Sequence, residues 1–292
     1  MDEASARAVF VAIGEASRRL EDAGIESSRL DAQLLMAAAA GVTREAVITG
    51  SIDLSAETLE KFEALISRRE KREPVAYIVG HREFYSLDFE VTPAVLIPRP
   101  ESELVVAAAL EYLSTRRAAG VLDIGTGSGA IAIAIAVNAP YARVTGLDIS
   151  ADALAVASRN ARRLGVEDRV RFRRADCFDV LDGGATLGSF EVVLSNPPYL
   201  DDAEIAGLEP DVRGYEPRIA MSAGVGGMDI HRRIIGGAVA HLADGGEFVL
   251  EVAAGQAATV AKLVEEAGLR VVAVINDFAG HPRVVRARRE RA

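Results

Sequence analysis

The stretch Val121-Leu122-Asp123-Ile124-Gly125-Thr126-Gly127-Ser128-Gly129 reads as a short apolar strand running into a glycine-rich turn, with a helix over Ala130–Val137 behind it. Alternate glycines permit a tight turn and let a ligand approach the backbone closely. Asp148 closes the next apolar segment, and a carboxylate there can accept hydrogen bonds from both hydroxyls of a ribose. The turn alone leaves several readings open. Gly125-x-Gly127-x-x-Ala130 also satisfies the loose dinucleotide fingerprint, and a glycine turn that binds nothing is the bland alternative. Asp123 tips the balance. Dinucleotide folds usually keep an apolar residue two places before the glycines. A carboxylate there suits a cofactor with an amino-acid end, whose ammonium needs an acceptor.

Working outward, short apolar segments alternate with helical periodicity to the end of the chain. Strands are expected at Val121–Ile124, Arg143–Leu147, Val170–Arg173, Val192–Ser195, Glu247–Glu251, Val271–Ile275 and Val284–Ala287. Helices are expected at Ala130–Val137, Ala151–Leu164, Met228–Leu242 and Gln256–Ala267. This alternation argues for an α/β domain over residues 98–292, a mainly parallel sheet covered on both faces. Residues 1–74 differ: apolar residues recur at helical spacing (Val9, Ile13, Leu20, then Leu59, Phe62, Ile66), Thr43 and Ser55 are N-cap candidates, and Pro74 closes the block. Four or five short helices are expected there. Residues 75–97 read as a β-hairpin linker turning near Ser86.

Ser195-Asn196-Pro197-Pro198-Tyr199 directly follows the fourth strand, where α/β sheets place ligands. Two prolines stiffen the backbone and remove two donors. The Pro197 carbonyl and the Asn196 side-chain oxygen are then two acceptors able to hold both hydrogens of an –NH2 group. Tyr199 is placed to pack against the substrate chain. A proline-stiffened turn is the bland reading of this motif; its place beside the glycine loop favours chemistry.

With these residues in view, the sequence resembles the HemK/PrmC-type release factor glutamine methyltransferases over essentially the whole chain. The resemblance rests on Gly80-His81-Arg82-Glu83-Phe84-Tyr85, on Leu96-Ile97-Pro98-Arg99-Pro100-Glu101-Ser102-Glu103, on the glycine loop, on Asn196–Tyr199 and on Tyr215-Glu216-Pro217-Arg218. It implies a seven-stranded, Rossmann-like class I methyltransferase domain behind a small helical bundle that recognises the release factor. It implies S-adenosyl-L-methionine as cofactor, S-adenosyl-L-homocysteine as by-product, and no metal. The cofactor would be held by Asp123, Gly125, Thr126, Gly127, Ser128, Gly129, Asp148, Ile149, Asp176 and Asn196. In this family an aromatic residue often follows the acid after the third strand and stacks near the adenine; here Asp176 is followed by Cys177 and then Phe178. Either could take that place, and Cys177 could equally be a small buried hydrophobe. Asn196 and Pro197 would be catalytic. They would bind, with Pro198, Tyr199, Arg99 and Glu101, the glutamine of a Gly-Gly-Gln motif, giving N5-methylglutamine. Arg99 and Glu101 also read as a rigid lead-in to the next helix, and Leu208–Gly227 as a loop over the substrate or a passive crossover.

Composition narrows the partners. The formal net charge is -10, and residues 1–75 carry 10 Lys+Arg against 14 Asp+Glu, which suits a protein partner better than a phosphate backbone. The rival nucleobase amino methyltransferase, acting on adenine N6 or cytosine N4, would need basic grooves to hold a duplex with a flipped base. A non-catalytic cofactor-binding or interaction module is weaker still, because all the expected motif residues are intact, and so is a nicotinamide oxidoreductase, because nothing in it explains Asn196–Tyr199. The basic run from Arg283 to Arg291 reads as a solvated last strand. Only one cysteine, Cys177, is present, so no internal disulfide forms; the four histidines are scattered, without metal-ligand spacing. No signal peptide or membrane segment stands out, and a cytoplasmic monomer that binds neither membrane nor nucleic acid is expected.

Overall fold

A computed structural model describes residues 3–116, 118–183 and 186–291. The chain divides into two units: residues up to His81 together with Glu209–Tyr215, and Arg82–Leu208 together with Glu216 onward.

The first unit contains α1 (Glu3–Asp22), α2 (Ser28–Ala40), α3 (Arg44–Ile48), α4 (Ala56–Arg69) and α5 (Val75–Val79). Thr43 caps α3 by accepting from Ala46 N, and Ser55 caps α4 by accepting from Thr58 N. Gly41, with φ of 66°, ends α2 in the left-handed conformation. Val9, Ile13, Leu20, Phe62 and Ile66 form the core on the helical spacing read from the sequence, joined by Leu35 and Met36, while Leu59 is only partly buried. Two features depart from that reading. α1 is one helix of 20 residues, and residues 75–79 are helix, not hairpin. Pro74 does not close the block but opens α5: a helix start has no need of its missing N–H, and its carbonyl accepts from Tyr77 N and Ile78 N. The segment Glu209–Tyr215, which lies far along the sequence, also belongs here. Asp211 pairs with Arg69 at 2.6 Å and with Arg72 at 2.5 Å, while Arg69 also holds the buried Asp31 at 2.7 Å.

From Arg82 on, the second unit opens with the rest of a two-stranded hairpin, β1 (His81–Phe84) and β2 (Leu87–Glu90). Its turn residues Tyr85 and Ser86 both have positive φ, as a two-residue type I′ connection requires. A 3₁₀ turn at Pro100–Ser102 leads into α6 (Glu103–Leu113). There follow β3 (Ala119–Ile124), α7 (Ala130–Asn138), β4 (Ala142–Asp148), α8 (Ala151–Arg163), β5 (Val170–Asp176), β6 (Asp179–Val180), β7 (Phe190–Ser195), α9 (Asp202–Ala206) and α10 (Pro210–Tyr215, of the first unit). The chain ends with α11 (Asp229–His241), β8 (Leu242–Glu251), α12 (Ala257–Glu266), β9 (Arg270–Asn276) and β10 (Pro282–Arg288). The sheet order is β6-β5-β4-β3-β7-β8-β10-β9, parallel from β5 to β8 and antiparallel at both edges. Seven of its strands answer to the seven expected; the eighth, β6, is a two-residue edge addition.

Alternation along the central strands feeds two cores, as a period of two demands. Val121, Val192, Leu194 and Val249 face α6 and α7; Leu122, Val193, Phe248 and Leu250 face α11 and α12. α7 is apolar all round and buried from Ala130 to Ala136, so it serves as core as much as cover. The register positions the site. Ile124 of β3 pairs with Ser195 of β7, and Ser195 pairs with Leu250 of β8. Ser195 Oγ also donates to the Ile124 carbonyl at 2.6 Å. Gly125, Asn196 and Glu251 therefore stand at one level on three neighbouring strands.

Arg69→Ala would leave Asp31 without its cation in the interior of the helical unit. Breaking a buried pair in this way costs about 3–5 kcal/mol, so calorimetry should show a clearly lowered unfolding temperature; an unchanged midpoint would show the pair to be passive.

Candidate active site

A cavity of about 320 Å³ opens at the carboxyl ends of β3, β4, β5 and β7. Four loops supply its polar wall: Gly125 and Gly127 after β3, Asp148–Ser150 after β4, Asp176 and Cys177 after β5, and Asn196–Pro198 after β7. Gly125 and Gly127 both have positive φ, and a Cβ added at Gly127 would meet nothing within 4 Å. The turn is anchored from beneath, since the N–H groups of Gly125 and Thr126 both donate to the Leu147 carbonyl at 2.8 Å. Asp148 accepts from Gly127 N and from Ser150 N, each at 2.9 Å. Burial nevertheless pushes its carboxyl above the usual range, with those backbone N–H groups opposing.

Asp123 stands behind the wall, fully buried, with Oδ2 accepting from Thr126 Oγ1 at 2.6 Å. Its Oδ1 has no donor among the described residues. Burial pushes this carboxyl up to about 7. Gly146, the register partner of Asp123, makes room for the arrangement: a Cβ there would lie 2.9 Å from Thr126 Oγ1.

Asn196 reaches the cavity with its amide already committed at one end. Nδ2 donates to Ser102 Oγ at 2.8 Å, and the Ser102 hydroxyl donates to Glu251 Oε2 at 2.6 Å. Oδ1 is thereby left as the free acceptor, and nothing among the described residues donates to the Pro197 carbonyl. Downstream, the Tyr199 carbonyl accepts from Gln256 Nε2 at 3.0 Å, and Leu200 bridges to Ser222.

The structure moves several expected contacts off the cavity wall. Asp123, Thr126, Ser128 and Gly129 form the buried underside of the glycine turn. Ser128 gives its carbonyl to Asn160, and a Cβ on Gly129 would lie 2.9 Å from Ile133 Cδ1. Phe178 does not replace the missing aromatic residue: its ring stacks on His241, centroids 5.0 Å apart, and packs over Gly237. Of the two residues left open by the sequence, it is Cys177 that lines the cavity, with φ of 54° and a thiol pushed up by burial. Tyr199 is mostly buried, its hydroxyl pushed up to about 12 by desolvation, and lies off the wall. Arg99 and Glu101 are off it too. Arg99 Nη2 binds Glu216 Oε1 at 2.5 Å, and Glu216 Oε2 accepts from Ile97 N, so this segment clamps the far end of the loop after β7.

Other wall residues are not singled out as site residues by the sequence, although Leu96 and Pro217 lie in segments that carry the resemblance and Ile219 in the loop read as covering the substrate. Val95 and Leu96 come from the linker, Pro217 and Ile219 from the loop after α10, and Ile230 and Arg233 from α11, with Arg233 paired to Asp176 at 2.9 Å. Ser102 and Glu251 were missed for a different reason: Ser102 reads only as part of the Ile-Pro-Arg-Pro segment and Glu251 only as a strand end, and it is the sheet register, for Glu251, and the 3₁₀ turn, for Ser102, that bring them to Asn196.

The wall fits a cofactor with a ribose and an amino-acid end. It offers an acidic residue beside glycine backbone and, behind it, a buried carboxylate oxygen that lacks a donor. No group of residues able to hold a metal occurs among those described.

Comparison with known proteins agrees with this geometry. The family model for the PrmC N-terminal domain matches residues 12–80, and a methyltransferase domain model matches residues 116–212. The release factor glutamine methyltransferase of Moorella thermoacetica is 41% identical over 274 residues, covering 93% of this chain and 95% of that one. The enzyme of the same name from Rhodopirellula baltica is 42% identical over 271 residues, 90% of each chain. Among solved structures, a methyltransferase from Pyrococcus furiosus superposes with a TM-score of 0.50 at 19% identity, over 78% of this chain and 98% of that one. That likeness concerns the fold alone.

Proposed function

This chain belongs to the release factor glutamine methyltransferase family, and we propose that it moves a methyl group from S-adenosyl-L-methionine to the side-chain amide nitrogen of the glutamine in the Gly-Gly-Gln motif of peptide-chain release factors. The observation that carries this reading is the placement of Asn196, with Oδ1 free, one strand away from the glycine turn.

When bound, S-adenosyl-L-methionine supplies an electron-poor methyl carbon on a sulfonium. Asp148, with lone pairs left after its two backbone bonds, takes the ribose hydroxyls. Gly125 and Gly127 admit the cofactor against bare backbone, Asp123 supplies negative charge that favours its ammonium, and Cys177 and Ile149 flank the adenosine.

The glutamine amide is a poor nucleophile because its lone pair is delocalised into the carbonyl. Asn196 Oδ1 and the Pro197 carbonyl accept its two N–H hydrogens and fix the direction of the lone pair. They also favour the more positive, more pyramidal nitrogen of the transition state over the planar ground state, which is differential binding. Alignment adds to this, since good orientation is worth roughly 7–11 kcal/mol of barrier. No strong base is required, because the nitrogen becomes acidic as it takes the methyl group. The helical unit, whose residues 1–75 carry net negative charge, grips the body of the release factor. None of the described helices is long and apolar enough to cross a membrane, and the protein acts as a monomer in the cytoplasm, where release factors work.

Incubation with labelled cofactor and either a release factor or duplex DNA tests the substrate. Label on the factor, with the mass of one CH2 added at the glutamine, is expected; label on DNA alone would overturn the reading. Asn196→Ala should retain cofactor affinity and lose at least about tenfold to a hundredfold in turnover, as for one acceptor of about 1–3 kcal/mol removed from a dry site; unaltered turnover would contradict its role. Asp148→Ala should instead weaken cofactor binding by about tenfold or more in a calorimetric titration, and an unchanged Kd would remove it from the ribose site.

A further inference from the structure

Neither Ser102, in the Ile-Pro-Arg-Pro segment, nor Glu251, at the end of β8, is assigned a role from the sequence, yet both are all but inaccessible, at 4% and 2% exposure, and short hydrogen bonds link Glu251 to Ser102 and Ser102 to Asn196. We propose that they are positioning residues for methyl transfer: the carboxylate of Glu251, acting through the Ser102 hydroxyl, decides which end of the Asn196 amide faces the substrate. The inference rests on the reading of Asn196 as an acceptor for the glutamine nitrogen.

Donors and acceptors fix the orientation of the Asn196 amide. An ionised carboxylate only accepts, and a serine hydroxyl has one proton to give. With Glu251 ionised, Ser102 donates to it and can only accept from Asn196. Asn196 must then offer Nδ2 to Ser102, and Oδ1 is the end left for the substrate. A protonated Glu251 can itself donate to Ser102 Oγ, which frees the serine proton for Asn196 Oδ1. The amide then gains by turning round and presents Nδ2 to the incoming –NH2, a donor against donors. Protonation of Glu251 thus lifts the constraint that keeps Asn196 Oδ1 toward the substrate and allows the turned amide, which repels an incoming –NH2.

The charges around Glu251 place this switch within reach of ordinary pH. Burial pushes its carboxyl up to about 7; Ser102 opposes the rise, Glu101 adds to it, and Arg283 and Arg99 lower it. Arg283 is shared with Asp277 and Arg99 with Glu216. Tyr199, itself raised by burial, faces Glu251 from the loop after β7 and stays protonated. His231 of α11 touches the Glu251 backbone carbonyl at 3.4 Å and is held below its usual range by burial. Because an ionised Glu251 can only accept, the arrangement with Asn196 Nδ2 on Ser102 is enforced above its titration range, and that constraint is lost as pH falls through it.

The test is single-turnover methylation of a release factor at saturating cofactor. At about pH 8, Ser102→Ala should slow transfer about tenfold with cofactor Kd unchanged, as for one hydrogen bond lost, and Ser102→Thr should restore most of it. Introduced into Asn196→Ala, Ser102→Ala should slow transfer no further, since it acts through the missing amide. The wild-type rate should fall toward acid through pH 7, and Glu251→Gln, which has no proton to titrate there, should lose that limb. An equal loss from Ser102→Ala in both backgrounds, or no loss in either, overturns the proposal, as does an acid limb that survives in Glu251→Gln. If Ser102→Ala does not fold, the Glu251→Gln profile decides alone. An unimpaired Asn196→Ala would sink the acceptor reading and this inference together; an impaired Asn196→Ala with additive losses would sink only the inference.

Discussion

The site depends on the parallel register of β3, β7 and β8. Ile124, Ser195 and Leu250 lie side by side, so the next residues, Gly125, Asn196 and Glu251, emerge together at the carboxyl edge of the sheet. A slip of one residue in any strand would turn its side chains to the opposite face and break the alignment. The buried Ser195 hydroxyl, tied to the Ile124 carbonyl at 2.6 Å, adds a bond to the pairing at the last possible position. The cofactor loop and the acceptor motif are far apart in sequence and adjacent in space because of this register.

Around that edge the fold spends its polar groups on rigidity. Asp123 holds Thr126, Asp148 holds Gly127 and Ser150, Asn160 ties Ser128 to the hairpin at Glu90, and Glu216 ties Arg99 to Ile97. Asp123 Oδ1, Asn196 Oδ1 and the Pro197 carbonyl are left without donors among the described residues, and a cofactor and an amide would need them. A site prepared in this way reorganises little when charge develops on the reacting nitrogen.

Much of this was legible in the chain. The glycine turn, Asp148 and the Asn-Pro-Pro-Tyr segment are local motifs, and alternation in strands such as Val192–Ser195 reports which face is buried. What could not be read has a common physical origin. Arg99 reads as a substrate contact or a rigid lead-in until its partner Glu216, distant in sequence, is known, and nothing local announces the pairing of Asp211 with Arg69. Pro74 reads as a stop because a proline at a helix start and one after a helix end look alike in sequence. Phe178 looked available for stacking, but Gly237 offers its ring a slot and His241 a flat partner. Ser102 and Glu251 gain meaning only through the third dimension.

The most direct measurement is a structure with S-adenosyl-L-homocysteine and a glutamine-containing release-factor peptide, obtained at about pH 8. Both Asn196 Oδ1 and the Pro197 carbonyl oxygen are expected within about 3.2 Å of the glutamine amide nitrogen, with Asn196 Nδ2 still on Ser102. A glutamine nitrogen held by other groups, or an Asn196 amide turned with Nδ2 toward the substrate, would contradict this arrangement.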